Sequence, residues 1–81
     1  MSAELKRRTK VFAIDILTLA RELETDPIGR LLRPQLVRAG TGVGSNYRAS
    51  CRGKSKADFI AKLTNAEEEA DESAFWLEVL L

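Results

Sequence analysis

Four cations crowd a nine-residue segment of this sequence, and their type and spacing suit a chemical role better than any other group in the chain. They are Arg48, Arg52, Lys54 and Lys56, and Arg38 lies ten residues before the first of them. Clusters of this kind attract the phosphate groups of nucleic acids. No base-reading motif accompanies the cluster, so the predicted contact with RNA or DNA depends on backbone and shape.

A second interpretation of the basic segment stays open. Cations at the carboxyl end of a helix complement the helix dipole and keep the protein surface soluble. The dipole accounts for one or two such charges, whereas this segment carries four. Both interpretations, nucleic-acid contact and a solvated surface, therefore remain at this stage.

The sequence offers little for catalysis or for metal binding. It contains no histidine, which removes the commonest general base and the commonest metal ligand. An acidic run resembles the carboxylate-rich helices of di-iron bundles, but those also need Glu-x-x-His pairs. The run consists of Glu67, Glu68, Glu69, Asp71 and Glu72. We expect a solvated face or a partner for the basic segment, no catalytic residue, no metal, no cofactor and no enzymatic activity.

The compartment is predicted from the amino terminus and from the single cysteine. The basic amino terminus is followed by apolar residues that Asp15 and Thr18 interrupt, so we expect no signal peptide and no membrane span. Cys51 has no second cysteine to pair with and is expected to be a reduced thiol. The sequence thus predicts a cytoplasmic protein.

Charge is divided unevenly along the chain, although the net charge is only +1. Residues 1–56 contain twelve Lys or Arg and five Asp or Glu, whereas residues 57–81 contain one Lys and seven acids. The protein is therefore expected to be strongly dipolar.

The elements that must position these charges are predicted to be helices within one domain, residues 1–81. Apolar residues recur at steps of three and four in three segments, about 3–24, 28–51 and 55–81. Asp26 and Pro27 separate the first two segments, and Ser55 followed by Asp58 suits the start of the third. The short first loop predicts antiparallel neighbours, and the fold class is all-α.

Three glycines within five residues of the second helix need an explanation, because each costs about 1 kcal/mol relative to alanine in a helix interior. They are Gly40, Gly42 and Gly44. Either they allow another helix backbone to approach closely, or the segment is a glycine loop. The apolar stripe runs through the segment and favours the first alternative.

The carboxyl end of the third helix is apolar on every side, so three helices alone would leave part of it uncovered. We expect an antiparallel up-down four-helix bundle, with three helices in this chain and the fourth missing, disordered or supplied by a partner. A homo-oligomer would also cover the exposed surface. The candidate interface residues are Gly40, Gly44, Phe75, Trp76, Val79 and Leu80.

Residues 35–80 resemble the four-helix-bundle family named after the 23S ribosomal RNA intervening-sequence protein. The shared features are Gln35, Leu36 and Arg38 before small residues, then Asn46, a basic-glycine turn at Arg52 and Gly53, Ser55, and the pair Asp58 and Phe59. Many members have Ile-Ala-Glu-Gly after the asparagine, where this chain has Tyr-Arg-Ala-Ser. The chain therefore resembles a more basic subgroup.

The resemblance implies more than composition does. Relatives include the accessory protein of diversity-generating retroelements, which resembles a ring-shaped pentamer whose basic surface engages nucleic acid and a reverse transcriptase. The family implies that Asn46 makes a structural hydrogen bond between helices. It also implies that the basic residues form the contact surface. Two functions are predicted: a homo-oligomeric bundle that binds RNA or DNA backbone, or a scaffold that binds only protein.

Overall fold

The structure, a computed structural model, describes residues 2–81. Three helices account for most of this part of the chain, and it contains no strand, which confirms the all-α prediction. The helices are α1 (Ala3–Glu22), α2 (Pro27–Cys51) and α3 (Lys56–Leu80). Helix α1 ends two residues earlier than predicted, because the backbone N–H of Leu23 caps it by donating to carbonyls of the last turn. No helix in residues 2–81 is long and apolar enough to cross a membrane.

Each helix begins at a polar residue whose side chain accepts a backbone hydrogen bond from the first turn. Asp26 accepts from the N–H of Gly29 at 2.5 Å, and Pro27 is the first residue of α2. Ser55 accepts from the N–H of Asp58 at 3.1 Å. These caps satisfy donors that have no partner inside the helix, and they confirm the predicted starts of α2 and α3.

Helix α2 lies between the other two, and its glycines let them approach closely. A Cβ atom at Gly40 would lie 2.7 Å from Cγ1 of Ile16 in α1, and one at Gly44 would lie 3.4 Å from the carbonyl oxygen of Thr9. A Cβ atom at Gly42 would instead lie 2.9 Å from the carboxylate of Glu69 in α3. The glycines therefore belong to a helix that packs on both sides, and the loop alternative is wrong.

Helices α1 and α3 flank α2, and their backbones are well separated. In the described part of the chain, no Cα atom of α1 lies within 8 Å of a Cα atom of α3. The molecule is accordingly elongated and thin, 44 × 19 × 15 Å. The three helices run up, down and up, as predicted, and a fourth helix is not among the described residues.

The core is small and lies mostly along α2. Leu36 and Ala39 are fully buried, and Ile16 is nearly so. The buried hydroxyl of Ser50 donates to the carbonyl of Tyr47, one turn earlier in its own helix, at 2.6 Å. Bonding within the helix satisfies a polar group that would otherwise destabilise the core.

Asn46 behaves differently from what the resemblance implies. Its Nδ2 donates to the carbonyl oxygen of Gly42 at 2.9 Å, which is a bond within α2 and not between helices. A short amide side chain reaches the carbonyl four residues earlier more readily than the neighbouring helix. The expected inter-helix hydrogen bond is therefore wrong in this structure.

Candidate nucleic-acid interface

The antiparallel order of the helices gathers cations at one end of the molecule. The amide of Ser2 donates to the hydroxyl of Tyr47 at 3.3 Å, so the start of α1 lies beside the end of α2. The turn from α2 to α3 lies at this same end. We define the basic end as residues 2–10 and 48–62. It holds nine of the thirteen Lys and Arg residues and only two of the twelve Asp and Glu residues.

Both carboxylates of the basic end are already occupied. Glu4 pairs with Arg7 at 2.6 Å. Asp58 accepts a hydrogen bond from Nζ of Lys62 at 2.8 Å and another from the backbone N–H of Lys54 at 3.1 Å. The bond from Lys62, followed by the bond from Lys54, lowers the pKa of Asp58, so this carboxyl stays ionised.

Seven cations of the basic end form no ion pair with any carboxylate in residues 2–81. All seven belong to the two segments defined above. They are Lys6, Arg8, Lys10, Arg48, Arg52, Lys54 and Lys56. Each is exposed to solvent. The four residues of the predicted cluster are thus brought together and remain open to an anionic ligand.

Lys10 joins the predicted cluster through the fold. Lys10 and Arg48 line the same shallow depression, of about 250 Å³, together with Thr41, Gly44 and Ser45. The sequence separates these two cations by 38 positions, so the cluster at positions 48–56 did not include Lys10. The signal that could have found it was the short predicted loop, since antiparallel neighbours place the start of α1 beside the end of α2.

Arg38, unlike the other members of the candidate site, pairs with carboxylates of the same chain, and its predicted role in nucleic-acid contact stays a prediction. Its guanidinium bridges α2 to α3, where it pairs with Glu69 at 3.4 Å and with Glu72. Glu72 also accepts a hydrogen bond from Nε1 of Trp76 at 3.3 Å. A phosphate would have to displace two carboxylates to reach this guanidinium, so we assign Arg38 to helix packing.

Two of the predicted interface residues are corrected. Gly40 and Gly44 are buried against α1 of the same chain, so packing within the chain already makes the close approach that was predicted for a second subunit. Their side of α2 is filled by Ile16 and Thr9. The missing Cβ atoms serve packing inside the chain.

The other four predicted interface residues remain available at the carboxyl end of α3. Phe75 and Val79 are about half exposed, at 52% and 51%, and Trp76 and Leu80 are partly buried. The rings of Phe75 and Trp76 meet edge to face, with centroids 5.1 Å apart. This surface lies at the opposite end of α3 from Lys56, so the exposed aromatic residues are remote from the basic end.

An apolar groove separates α1 from α3, with α2 as its floor. Its volume is about 380 Å³, and Arg8 and Thr9 lie at its rim. The apolar lining residues are Leu5, Phe12, Val43, Ala70, Ala74 and Leu77. In residues 2–81 no three acidic or cysteine side chains converge on a point where a metal ion would fit.

Comparison with known proteins assigns the chain to a family. A family model described as 23S rRNA-intervening sequence protein matches residues 2–81. A crystal structure of a protein of unknown function from the S23 ribosomal protein family of Bacteroides thetaiotaomicron is similar to this chain, with 37% sequence identity and a TM-score of 0.88. The match covers 94% of this chain and 70% of that one. No curated protein sequence matches the chain.

The family match and the structural match agree with each other. The family model spans every residue that the structure describes, and the solved relative shares the fold at an identity well above 25%. This chain belongs to the 23S rRNA-intervening sequence protein family.

Proposed function

We propose that this protein is a non-enzymatic, homo-oligomeric helical bundle that binds the phosphate backbone of RNA or DNA through its basic end. The observation that carries the proposal is the set of seven exposed cations without ion-pair partners among residues 2–81. Because both nearby carboxylates are neutralised by Arg7 and Lys62, the local field is strongly positive. Such a field attracts phosphates and releases their counterions.

The aromatic residues near the basic end favour backbone contact over base stacking. Tyr47 is buried and Phe59 is half-buried, so the basic end offers no fully exposed aromatic ring for a nucleotide to stack on. Proteins that bind single strands normally stack bases on exposed aromatic rings. We therefore infer binding without sequence readout.

The experiment is fluorescence anisotropy with labelled duplex RNA and duplex DNA. The test variant is Arg48→Ala with Arg52→Ala, and the matched control is Arg30→Ala with Arg38→Ala, which also removes two exposed cations but from outside the basic end. We expect the test variant to lose at least about tenfold in affinity, because two charge-assisted contacts disappear. The control should retain native affinity. Equal losses in both variants, or no binding by the native protein at low salt, would contradict the proposal.

We also propose that a fourth helix occupies the groove between α1 and α3. Support comes from the apolar lining, from the separation of α1 and α3, and from the greater length of the solved relative. A helix in this groove would complete an antiparallel up-down bundle. A helix of the same polypeptide and a helix of a partner would both cover the groove.

Thiol labelling tests the occupied groove. In a Cys51→Ser background, Ala74→Cys introduces a thiol inside the groove, and Ala61→Cys introduces one on exposed surface. An occupied groove should slow the alkylation of the thiol at position 74 relative to that at position 61. Similar rates would show an open groove and refute the fourth helix.

A protein-only scaffold is the second candidate function. The observation that favours it is the half-exposed apolar surface at Phe75 and Val79, which is suited to a protein partner. The protein-only scaffold is favoured over nucleic-acid binding if the native protein assembles correctly but binds neither duplex RNA nor duplex DNA.

Two further parts of the proposal concern location and kinship. We propose a cytoplasmic location, in keeping with the single cysteine. We also propose kinship with the accessory protein of diversity-generating retroelements, which the resemblance to the family implies. That kinship, and the nucleic-acid binding of that protein, support the proposed function without replacing its test.

A further inference from the structure

The outer face of α1 carries an exposed stripe that the fold leaves without a partner. Its members recur at steps of four, three, four and three: Arg7, Val11, Ile14, Thr18 and Arg21. All five are exposed, and the two large apolar residues are 42% and 51% exposed, respectively. Ile16 and Ala20 are buried against the rest of the chain. Each follows a stripe residue by two positions, which is a rotation of about 200° around the helix axis, so the stripe lies on the opposite face.

The outer face of α3 carries a second exposed stripe of opposite charge. It comprises Glu68, Asp71, Phe75 and Val79, at steps of three, four and four, and all four are exposed. Phe75 and Val79 are half exposed. This stripe lies opposite Ala66 and Ser73, the buried residues of α3.

The two stripes lie on opposite edges of the molecule. Helices α1 and α3 both pack on α2, their backbones stay more than 8 Å apart at the Cα atoms, and each stripe lies opposite the buried residues of its own helix. The α1 stripe contains the cations Arg7 and Arg21, of which Arg7 also pairs with Glu4 beside the stripe, and the α3 stripe contains carboxylates and no cation. A contact between like edges would bring charges of the same sign together, whereas a contact between unlike edges pairs opposite charges around apolar centres.

We propose that the outer face of α1 in one copy of this chain packs against the outer face of α3 in a second copy. The proposal rests on the homo-oligomeric part of the proposed function and assigns its interface. Val11 and Ile14 would cover Phe75 and Val79 of the second copy, and Arg7 and Arg21 would flank Glu68 and Asp71 of that copy. Because the two edges differ, the contact is head-to-tail, and repetition builds a ring if the rotation closes. The groove between α1 and α3 takes no part in this contact, since it is lined by other faces of these helices.

Charge reversal at the two edges tests this arrangement by sedimentation velocity. The α1 variant is Arg7→Glu with Arg21→Glu, and the α3 variant is Glu68→Lys with Asp71→Lys. Each variant alone should lose assembly, and the mass should fall to the 9.0 kDa of one chain. The chain that carries all four reversals should assemble again, because its edges are complementary once more. Arg30→Glu, an exposed reversal away from both edges, is the control and should assemble like the native protein.

The outcomes separate this inference from the proposed function. Loss in both two-residue variants and recovery in the four-residue variant would support the inference. If the native protein assembles and both two-residue variants keep the mass of the native assembly, the proposed interface is wrong and the homo-oligomer remains. Native protein that is monomeric at its highest soluble concentration would overturn the homo-oligomer as well. Nucleic-acid affinity is measured separately, with the Arg48 and Arg52 variant.

Discussion

Arg38 and Arg48 are the same residue type in the same helix, and their neighbours give them different roles. Arg38 lies opposite carboxylates of α3 and pairs with Glu69 and Glu72. Arg48 lies one turn before the end of α2, where the nearest elements are the cationic start of α1 and the basic turn. Exposed cations therefore differ in function according to the charge of the helix face opposite them.

Replacing Arg38 by alanine should affect stability slightly and nucleic-acid affinity hardly at all. The guanidinium is about half exposed, so its ion pairs are screened by solvent and contribute at most about 1 kcal/mol. Urea unfolding of Arg38→Ala should show a decrease in the free energy of unfolding within that limit. The affinity of this variant for duplex RNA should stay within about twofold of the native value. A tenfold drop in affinity would return Arg38 to the binding surface.

Gly40 and Gly42 should respond in opposite directions to substitution by alanine. At Gly40 the new Cβ would meet Ile16, a branched and buried side chain, so overpacking should destabilise the protein by about 1–3 kcal/mol. At Gly42 the nearest atoms belong to the flexible carboxylate of Glu69, which can move, so the gain in helix propensity of up to about 1 kcal/mol should dominate. Urea unfolding compares the two variants. A gain in stability at both positions would contradict the close approach of α1.

At the scale of elements, the sequence pattern located the helices well and their mutual register poorly. Ser55 with Asp58, and Asp26 with Pro27, predicted helix starts because capping is local chemistry that these residues perform wherever the chain goes. The ion-pair partners of Arg38 depend on the register of α2 relative to α3, and no local sequence pattern specifies that register. The same limit explains Asn46, whose bond stays inside α2.

The turn between α2 and α3 should make stability depend on pH through Asp58. The hydrogen bonds from Lys62 and from the N–H of Lys54 lower the pKa of this carboxyl on folding. A lowered pKa means that the ionised carboxylate stabilises the fold above the pKa of the unfolded chain, near 4, and that this contribution is lost as the pH falls through the folded pKa. We expect native protein to resist urea better than Asp58→Asn at pH 6.

The difference in urea midpoint between native protein and Asp58→Asn should then shrink as the medium is acidified below the ordinary pKa of an aspartic acid. Urea midpoints measured from pH 6 downwards follow this change. A constant difference across the titration would mean that the carboxylate charge does not contribute, and a difference that grows in acid would reverse the predicted sign.

The whole molecule is a thin layer of three helices with cations at one end and unlike edges along its sides. The uneven charge was visible in the sequence, but the addition of Lys10 to the basic cluster needed the antiparallel order of α1 and α2. The predicted interface at Gly40 and Gly44 failed because a glycine stripe suits contact within a chain as well as between chains. Exposed Phe75 and Val79 remain available, and their predicted role in assembly stays a prediction.

The salt dependence of nucleic-acid binding tests the basic end most directly. Each phosphate contact to duplex DNA contributes about 0.9 to the slope of log affinity against log salt concentration. We expect steep salt dependence for the native protein and a slope that is less steep by about 2 for Arg48→Ala with Arg52→Ala. The control, Arg30→Ala with Arg38→Ala, should keep the native slope. If the native slope is flat, or if the control changes it as much as the test variant does, the basic end does not bind phosphates.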